Sequence, residues 1–280
     1  MISNNSEPIK IAILDLYNGE PNEGMRGLRK VISYMNSIHE IAIEWKEFDV
    51  RVSEELPSTD FDMYISSGGP GNPITDEYSR WEATYFKWLD SIMSWNENKE
   101  NHKKKYVFFI CHSFQMASQY FNIGNVTKRK STALGIFPIH MLAGAEQEPI
   151  FQGLNDPFYG VDSREYQVIE PNQKTIEAIG ATLLCIEKER PHVALERAIM
   201  AIRFNPYMVG TQFHPEADAK GMTSYLQREE KKKTVIENHG IEKWESMMNQ
   251  LDDPDKILMT NRYVLPNFIN QSIKALTDTH

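Results

Sequence analysis

Three short stretches carry side chains that could make and break an acyl bond. The first centres on Cys111, which ends the run Tyr106-Val107-Phe108-Phe109-Ile110 and is followed by His112, Ser113, Phe114 and Gln115. The unbroken apolar run reads as a strand buried on both faces, and Gln115-Met116-Ala117-Ser118-Gln119 opens a helix. Cys111 then stands at a strand-to-helix turn, the cysteine form of a nucleophile elbow, where the helix N-terminus favours thiolate. A small buried cysteine without chemistry fits this stretch alone equally well. The second stretch is His214-Pro215-Glu216, at the end of the strand-like run Met208-Val209-Gly210-Thr211-Gln212-Phe213. Two residues apart on an extended end, His214 and Glu216 face one side, and Pro215 keeps His214 extended. Together they supply a base and the carboxylate that orients it. The third stretch is Ser67-Gly68-Gly69-Pro70-Gly71. Thiolate attack on an amide or ester creates an oxyanion that needs preorganised N–H donors, and glycines let the backbone come close. One donor is expected near Gly68 or Gly69 and the other at the N–H of His112. Taken alone, the third stretch is an ordinary Gly-Pro turn.

The segments around these stretches read as an α/β fold. Residues 10–16 form a buried strand, 25–35 a helix with apolar positions at Leu28, Val31, Ile32 and Met35, 41–48 a strand and 62–66 a short strand. Residues 77–97 form a helix with Trp81, Tyr85, Trp88 and Ile92 along one side, and the cysteine strand follows. This order predicts an open, mostly parallel sheet with helices on both faces, and ligands bind such sheets at their C-terminal edge. The middle is richer in strands, at 126–127, 133–139, 166–169, 181–186, 198–202 and 208–213. Residues 222–239 read as one charged, solvated helix, which Gly240 caps, and 241–251 and 256–276 as two more helices divided by Asp252-Asp253-Pro254. The division expected is an α/β domain over residues 1–216 and a helical extension over 217–280. The extension's apolar positions require a partner surface: its own sheet, a second copy in a homodimer, or another protein.

Composition narrows the class. The chain has 280 residues with a formal net charge of −9, which opposes binding to nucleic acid or to anionic membranes. Its two cysteines, Cys111 and Cys185, make neither a disulfide framework nor a metal cluster, and a reducing cytoplasm fits them best. The polar start, residues 1–8, lacks the apolar core of a signal peptide, and no apolar run reaches the ~20 residues that span a bilayer.

In combination the three stretches resemble class I glutamine amidotransferases. The strand-Gly-Gly-Pro-Gly loop, the Ile-Cys-x-small-x-Gln elbow and Gly-Thr-Gln-Phe-His-Pro-Glu stand in that family's order, from about Ile11 to Glu216. The resemblance implies a flavodoxin-like fold and a Cys-His-Glu triad of Cys111, His214 and Glu216. It implies hydrolysis of glutamine through a γ-glutamyl thioester, with ammonia passed to a synthetase and no cofactor required. It makes Gly68, Gly69 and His112 the oxyanion loop and elbow donors, and Gln115 a substrate-holding residue. The family's elbow glycines are replaced by Phe109 and Ser113, so the packing beneath the elbow differs. No synthetase motif follows Glu216, so the ammonia acceptor belongs to another chain. A second resemblance, to homoserine O-acyltransferases, rests on Leu134 to His140, Phe151 to Phe158 and Asp162-Ser163-Arg164-Glu165-Tyr166. It implies acyl transfer from a CoA thioester through the same cysteine. Arg228 falls where that family has a substrate-carboxylate arginine, although Tyr225 replaces its amine-binding glutamate. Arg164 and Arg228 are candidates to hold a substrate carboxylate, because a guanidinium grips one bidentately. The non-enzymatic alternative is a regulatory or scaffolding subunit, against which the intact triad speaks.

Overall fold

Apolar runs bounded by turn residues give nine strands among the described residues of the computed structural model, which are 7–74, 79–191, 194–251 and 253–278. They are β1 (Ile9–Asp15), β2 (Ile43–Asp49), β3 (Met63–Ser66), β4 (Tyr106–Ile110), β5 (Asn125–Met141), β6 (Phe158–Ile169), β7 (Thr182–Glu187), β8 (Ile199–Asn205) and β9 (Met208–Thr211). They form one open sheet in the order β2-β1-β3-β4-β9-β8-β7-β5-β6. The first five are parallel, and these carry the site. The remaining strands pair antiparallel, starting with β8 on β9. Residues 1–6 of the polar start, Glu77 at the head of the expected long helix, and Asp252 and His280 of the tail lie outside the described residues.

Strand alternation sends successive side chains to opposite faces. Ile11, Ile13, Phe108 and Ile110 enter a core closed by α1 (Glu23–Ile38) and α8 (Pro254–Thr277). Ala12, Leu14, Val107 and Phe109 enter a second core closed by α2 (Arg80–Glu97) and α3 (His112–Tyr120). α1 starts where Asn22 accepts the Met25 N–H at 2.8 Å, and α2 starts at a Ser79–Glu82 capping box. A third, smaller core joins β5 and β6 to the helices after the triad through Ile136, Val161, Met222, Leu226, Val235 and Met247.

The structure departs from the sequence expectation in three places. Residues 126–127 and 133–139 belong to one strand, β5, whose register on β6 shifts between Lys128 and Ala133. A short helix, α4 (Gln173–Ile179), stands where no helix was expected; Ile176 is its buried residue, so the sequence offers no periodic stripe there. The charged stretch 222–239 is two helices, α5 (Ala219–Leu226) and α6 (Glu229–His239), because Arg228 is extended (φ −62°, ψ 127°). The expected helices 241–251 and 256–276 are α7 (Ile241–Leu251) and α8. Of the partner surfaces left open for the tail, α8 takes the chain's own sheet: Val264, Leu265, Phe268, Ile269 and Ile273 share the core of β1 and β4. Among the described residues, no helix is long and apolar enough to cross a membrane.

Candidate active site

β4 ends at Ile110, and the chain turns into α3 through Cys111 at φ 51°, ψ −99°. A side-chain-bearing residue at positive φ is strained, and strain of this kind persists where the surroundings fix it. They do so here. The Cys111 N–H donates to the Thr211 carbonyl of β9 at 2.8 Å, and the Gln115 N–H of α3 donates to the Cys111 carbonyl at 3.0 Å. Ser113, in the place of an elbow glycine, ties the turn further: its Oγ accepts the Ile110 N–H at 2.9 Å and donates to the Ser66 carbonyl at 2.8 Å. Phe109, the other departure, is absorbed by the core beneath, edge-on to Phe204 at 5.7 Å and against Gly210.

β9 sits next to β4, so its end delivers Gln212, His214 and Glu216 beside the cysteine. The His214 N–H donates to the Val161 carbonyl of β6 at 2.8 Å, and Asn261 of α8 donates to the Pro215 carbonyl at 3.2 Å. His214 Nδ1 meets Glu216 Oε1 at 2.8 Å, which leaves Nε2 for the reaction. Burial works to lower the His214 pKa, but the charges of Glu216 and Cys111 and hydrogen bonds to both outweigh it, and the pKa is raised well above its ordinary value. Glu216 is 1% exposed, and Gly27 of α1 lets the helix reach it: a Cβ at Gly27 would lie 2.3 Å from the Glu216 carbonyl oxygen.

The Gly68-Gly69 loop follows β3. A Cβ at Gly69 would stand 2.2 Å from the Leu16 carbonyl oxygen, and one at Gly68 would stand 2.9 Å from the His214 ring and 3.4 Å from Cys111 Cβ. The loop therefore lies against Cys111 and His214, where only glycine fits. Arg51 holds it by donating to the Pro70 carbonyl and, at 3.3 Å, to Leu16, while stacking on Trp81. His112 opens α3 with its backbone at the elbow. Its buried ring is held neutral, with a pKa lowered to about 3 by burial and by the Arg51 charge.

Two residues here were not singled out by sequence reasoning. Gln212 donates to Cys111 Sγ at 3.6 Å and accepts from Gln115 Nε2 at 3.0 Å, while Gln115 also donates to the Tyr166 carbonyl at 3.1 Å. Gln115 thus positions Gln212, and Gln212 faces the sulfur. Its place two residues before His214 was the available signal. Tyr17, in the loop after β1, puts its hydroxyl 3.4 Å from the Cβ position of Gly68. No sequence pattern marked it.

Cys111 lies where two cavities meet. The larger, about 510 Å³, is bordered by His214, Glu216, Tyr17, Glu23, Met222 and Arg228. The smaller, about 430 Å³, is bordered by His112, Gln115, Thr132, Arg164, Glu165 and Tyr166. The two candidate carboxylate-binding arginines are therefore separated. Arg164 is 4% exposed and pairs with Asp162 at 3.0 Å and Glu187 at 3.4 Å. Arg228 meets Glu23 at 3.3 Å at the larger cavity.

The sequence profile described as Glutamine amidotransferase class-I matches residues 28–233. The chain belongs to the class I glutamine amidotransferase family. The fold agrees. A glutamine amidotransferase from Thermotoga maritima superposes with a TM-score of 0.68 at 14% identity, over 96% of this chain and 100% of that one. A glutamine amido transferase from Methylobacillus flagellatus gives 0.64 at 15%, over 96% and 94%. The glutaminase domain of Trypanosoma brucei CTPS, with bound acivicin, gives 0.52 at 13%, over 74% and 86%. No curated protein matches the chain.

Proposed function

We propose that this amidotransferase hydrolyses the side-chain amide of glutamine through a thioester on Cys111 and supplies ammonia to a synthetase on a separate chain. The observation that carries the reading is the His214–Glu216 hydrogen bond of 2.8 Å beside a cysteine held at φ 51°. His214, charged and oriented by Glu216, keeps Cys111 as thiolate. Sγ attacks the amide carbon, and the oxyanion lies within reach of N–H groups at Gly68 or Gly69 and at His112. The C–N bond breaks as His214 Nε2 protonates the leaving nitrogen. Water, giving its proton back to His214, then releases glutamate from the thioester.

The amino-acid end of the substrate occupies the smaller cavity beside Gln115. Arg164 is the candidate there for the substrate carboxylate. Its Nη1 is buried without a hydrogen-bond partner among the described residues, and it stands among three arginines, with Arg129 and Arg190, facing two carboxylates, Asp162 and Glu187. A substrate carboxylate would balance that charge. Arg228 belongs to the opposite cavity and faces the leaving group.

Intact-protein mass spectrometry after exposure to a diazo-ketone glutamine analogue, with an acyl-CoA in parallel, tests the reading. The expected result is a single adduct from the glutamine analogue, absent in Cys111→Ala. An acyl adduct from the CoA ester alone would replace glutamine hydrolysis with acyl transfer.

A further inference from the structure

We infer that the leaving group this site is built for is an organic amine, so that its substrates are N-substituted γ-glutamyl amides, with glutamine only the smallest of them. The inference rests on the proposed thioester chemistry at Cys111 and extends it to the other half of the substrate.

The two halves of the substrate must take opposite sides of Cys111. His214 borders the larger cavity and is absent from the smaller one, whereas Gln115, Arg164 and Tyr166 border the smaller one alone. The departing nitrogen has to meet His214 Nε2 to take its proton. It therefore leaves into the larger cavity, and the amino-acid end lies in the smaller.

Size decides what can leave. Ammonia occupies about the volume of a water molecule, roughly 30 Å³. The cavity on the leaving side holds about 510 Å³. Its walls come from this chain's own elements: the loop before α1 at Glu20 and Asn22, α5 at Gly221 and Met222, and Arg228 and Glu230 at the break into α6. Asp218 ties α5 to α1 through Arg26 and through Lys30 at 2.7 Å, and Arg228 ties the break to Glu23, so the cavity is braced open.

One polar group inside it suits a substituted amide. The Tyr17 hydroxyl borders the cavity next to Gly68 and makes no hydrogen bond to a described residue. Burial, and then the charges of Glu216 and Cys111, raise its pKa well above the ordinary value, so it stays a neutral phenol. It can accept the single N–H that a secondary amide keeps, while the substituent extends into the cavity toward Met222.

The chemistry balances without a further reactant. Sγ bonds to the γ-carbon, and the C–N bond breaks as His214 Nε2 gives its proton to nitrogen. The free amine departs, and water cleaves the thioester to glutamate, returning the proton to His214.

The test compares kcat/KM of the full chain for L-glutamine, γ-glutamyl ethylamide, γ-glutamyl butylamide and γ-glutamyl p-nitroanilide, all read as glutamate released. At least one substituted amide should exceed glutamine, by about tenfold or more, as a filled pocket discriminates between substituents. Met222→Trp, which fills the cavity, should move that ratio back toward glutamine by about tenfold. Glutamine turned over faster than all three amides would overturn the inference and leave the thioester reading standing. An unchanged ratio in Met222→Trp would likewise overturn it. If neither glutamine nor any amide leaves a glutamyl adduct on Cys111 after acid quench, the thioester reading itself fails, and the inference with it.

Discussion

At the scale of single residues, the site depends on one charge placed two positions beyond a histidine. Glu216 lies buried against His214 Nδ1, and its charge, with that of Cys111, lifts the histidine's pKa against the opposing effect of burial. In the proposed mechanism the proton that His214 holds is given to the leaving nitrogen, so activity should persist well above the pH at which an ordinary histidine is neutral. Glu216→Gln removes the charge and keeps the size. The His214 pKa then falls, and the alkaline limb of the kcat/KM profile should move to lower pH, with kcat down about 10²- to 10⁴-fold. Steady-state kinetics across pH checks both, and a limb left in place would mean that Glu216 does not set the histidine's charge. The same linkage governs stability. A raised pKa stabilises the fold most below the unfolded value of about 6.5, and the benefit fades as pH rises through the folded value. The meeting of Cys111, His214 and Glu216 was legible in the sequence because strand ends and a Pro-fixed turn confine them. Tyr17 was not, since a lone phenol carries no spacing signal, and the signal for Gln212 was its place two residues before His214.

At the scale of elements, close approach does the positioning. The Gly68-Gly69 loop, the proposed oxyanion loop, can lie against Cys111 because residue 69 has no side chain where the Leu16 carbonyl stands 2.2 Å from the Cβ position. Gly69→Ala must push the loop off β1. Removing one oxyanion donor costs about 10²- to 10³-fold in kcat, so a loss of that order is expected with the fold retained, read by circular dichroism and turnover together. The α1–α5 joint makes a second case. Asp218 caps α5 by accepting the Gly221 N–H at 2.8 Å and binds Arg26 and Lys30 of α1. Burial tends to raise its pKa, but these partners bring it down to about 2. Its stabilisation is therefore present above the unfolded value of about 3.9 and is lost as pH falls through the folded one. Asp218→Ala should cost about 0.5–2 kcal/mol near neutrality for the cap alone. Urea midpoints for the two proteins should converge as pH approaches 2. The break between α5 and α6 that makes this joint was not legible. No Pro or Gly interrupts residues 222–239, and Arg228, extended at the break, pairs with Glu23 of α1 at 3.3 Å, a contact that no local pattern announces.

At the scale of the whole molecule, residues 217–280 are part of the apparatus that holds the site. Sequence patterning located their helices but not the surface they cover, because an apolar stripe reports that something is buried and not against what. The structure supplies the answer through α8. Phe268 stands edge-on to Phe108 of the elbow strand at 5.2 Å, and Asn261 holds the Pro215 carbonyl between His214 and Glu216. The helix thus buttresses β4 from behind and the histidine turn from above. Phe268 is 2% exposed, and deleting a buried aromatic side chain costs about 3–5 kcal/mol, in part through the cavity left behind. Phe268→Ala should lower the unfolding free energy, extrapolated from urea titrations to water, by that amount. It should also loosen the strand that carries Cys111, so inactivation on warming should begin below the temperature at which α-helical signal is lost. Asn261→Ala offers the contrast. It leaves the core untouched and releases only the turn, so its loss should fall on kcat, with a urea midpoint close to that of the parent. If the two variants behave alike in both measurements, α8 serves the core alone; if they separate, one helix stabilises the sheet with one face and aligns the triad with another.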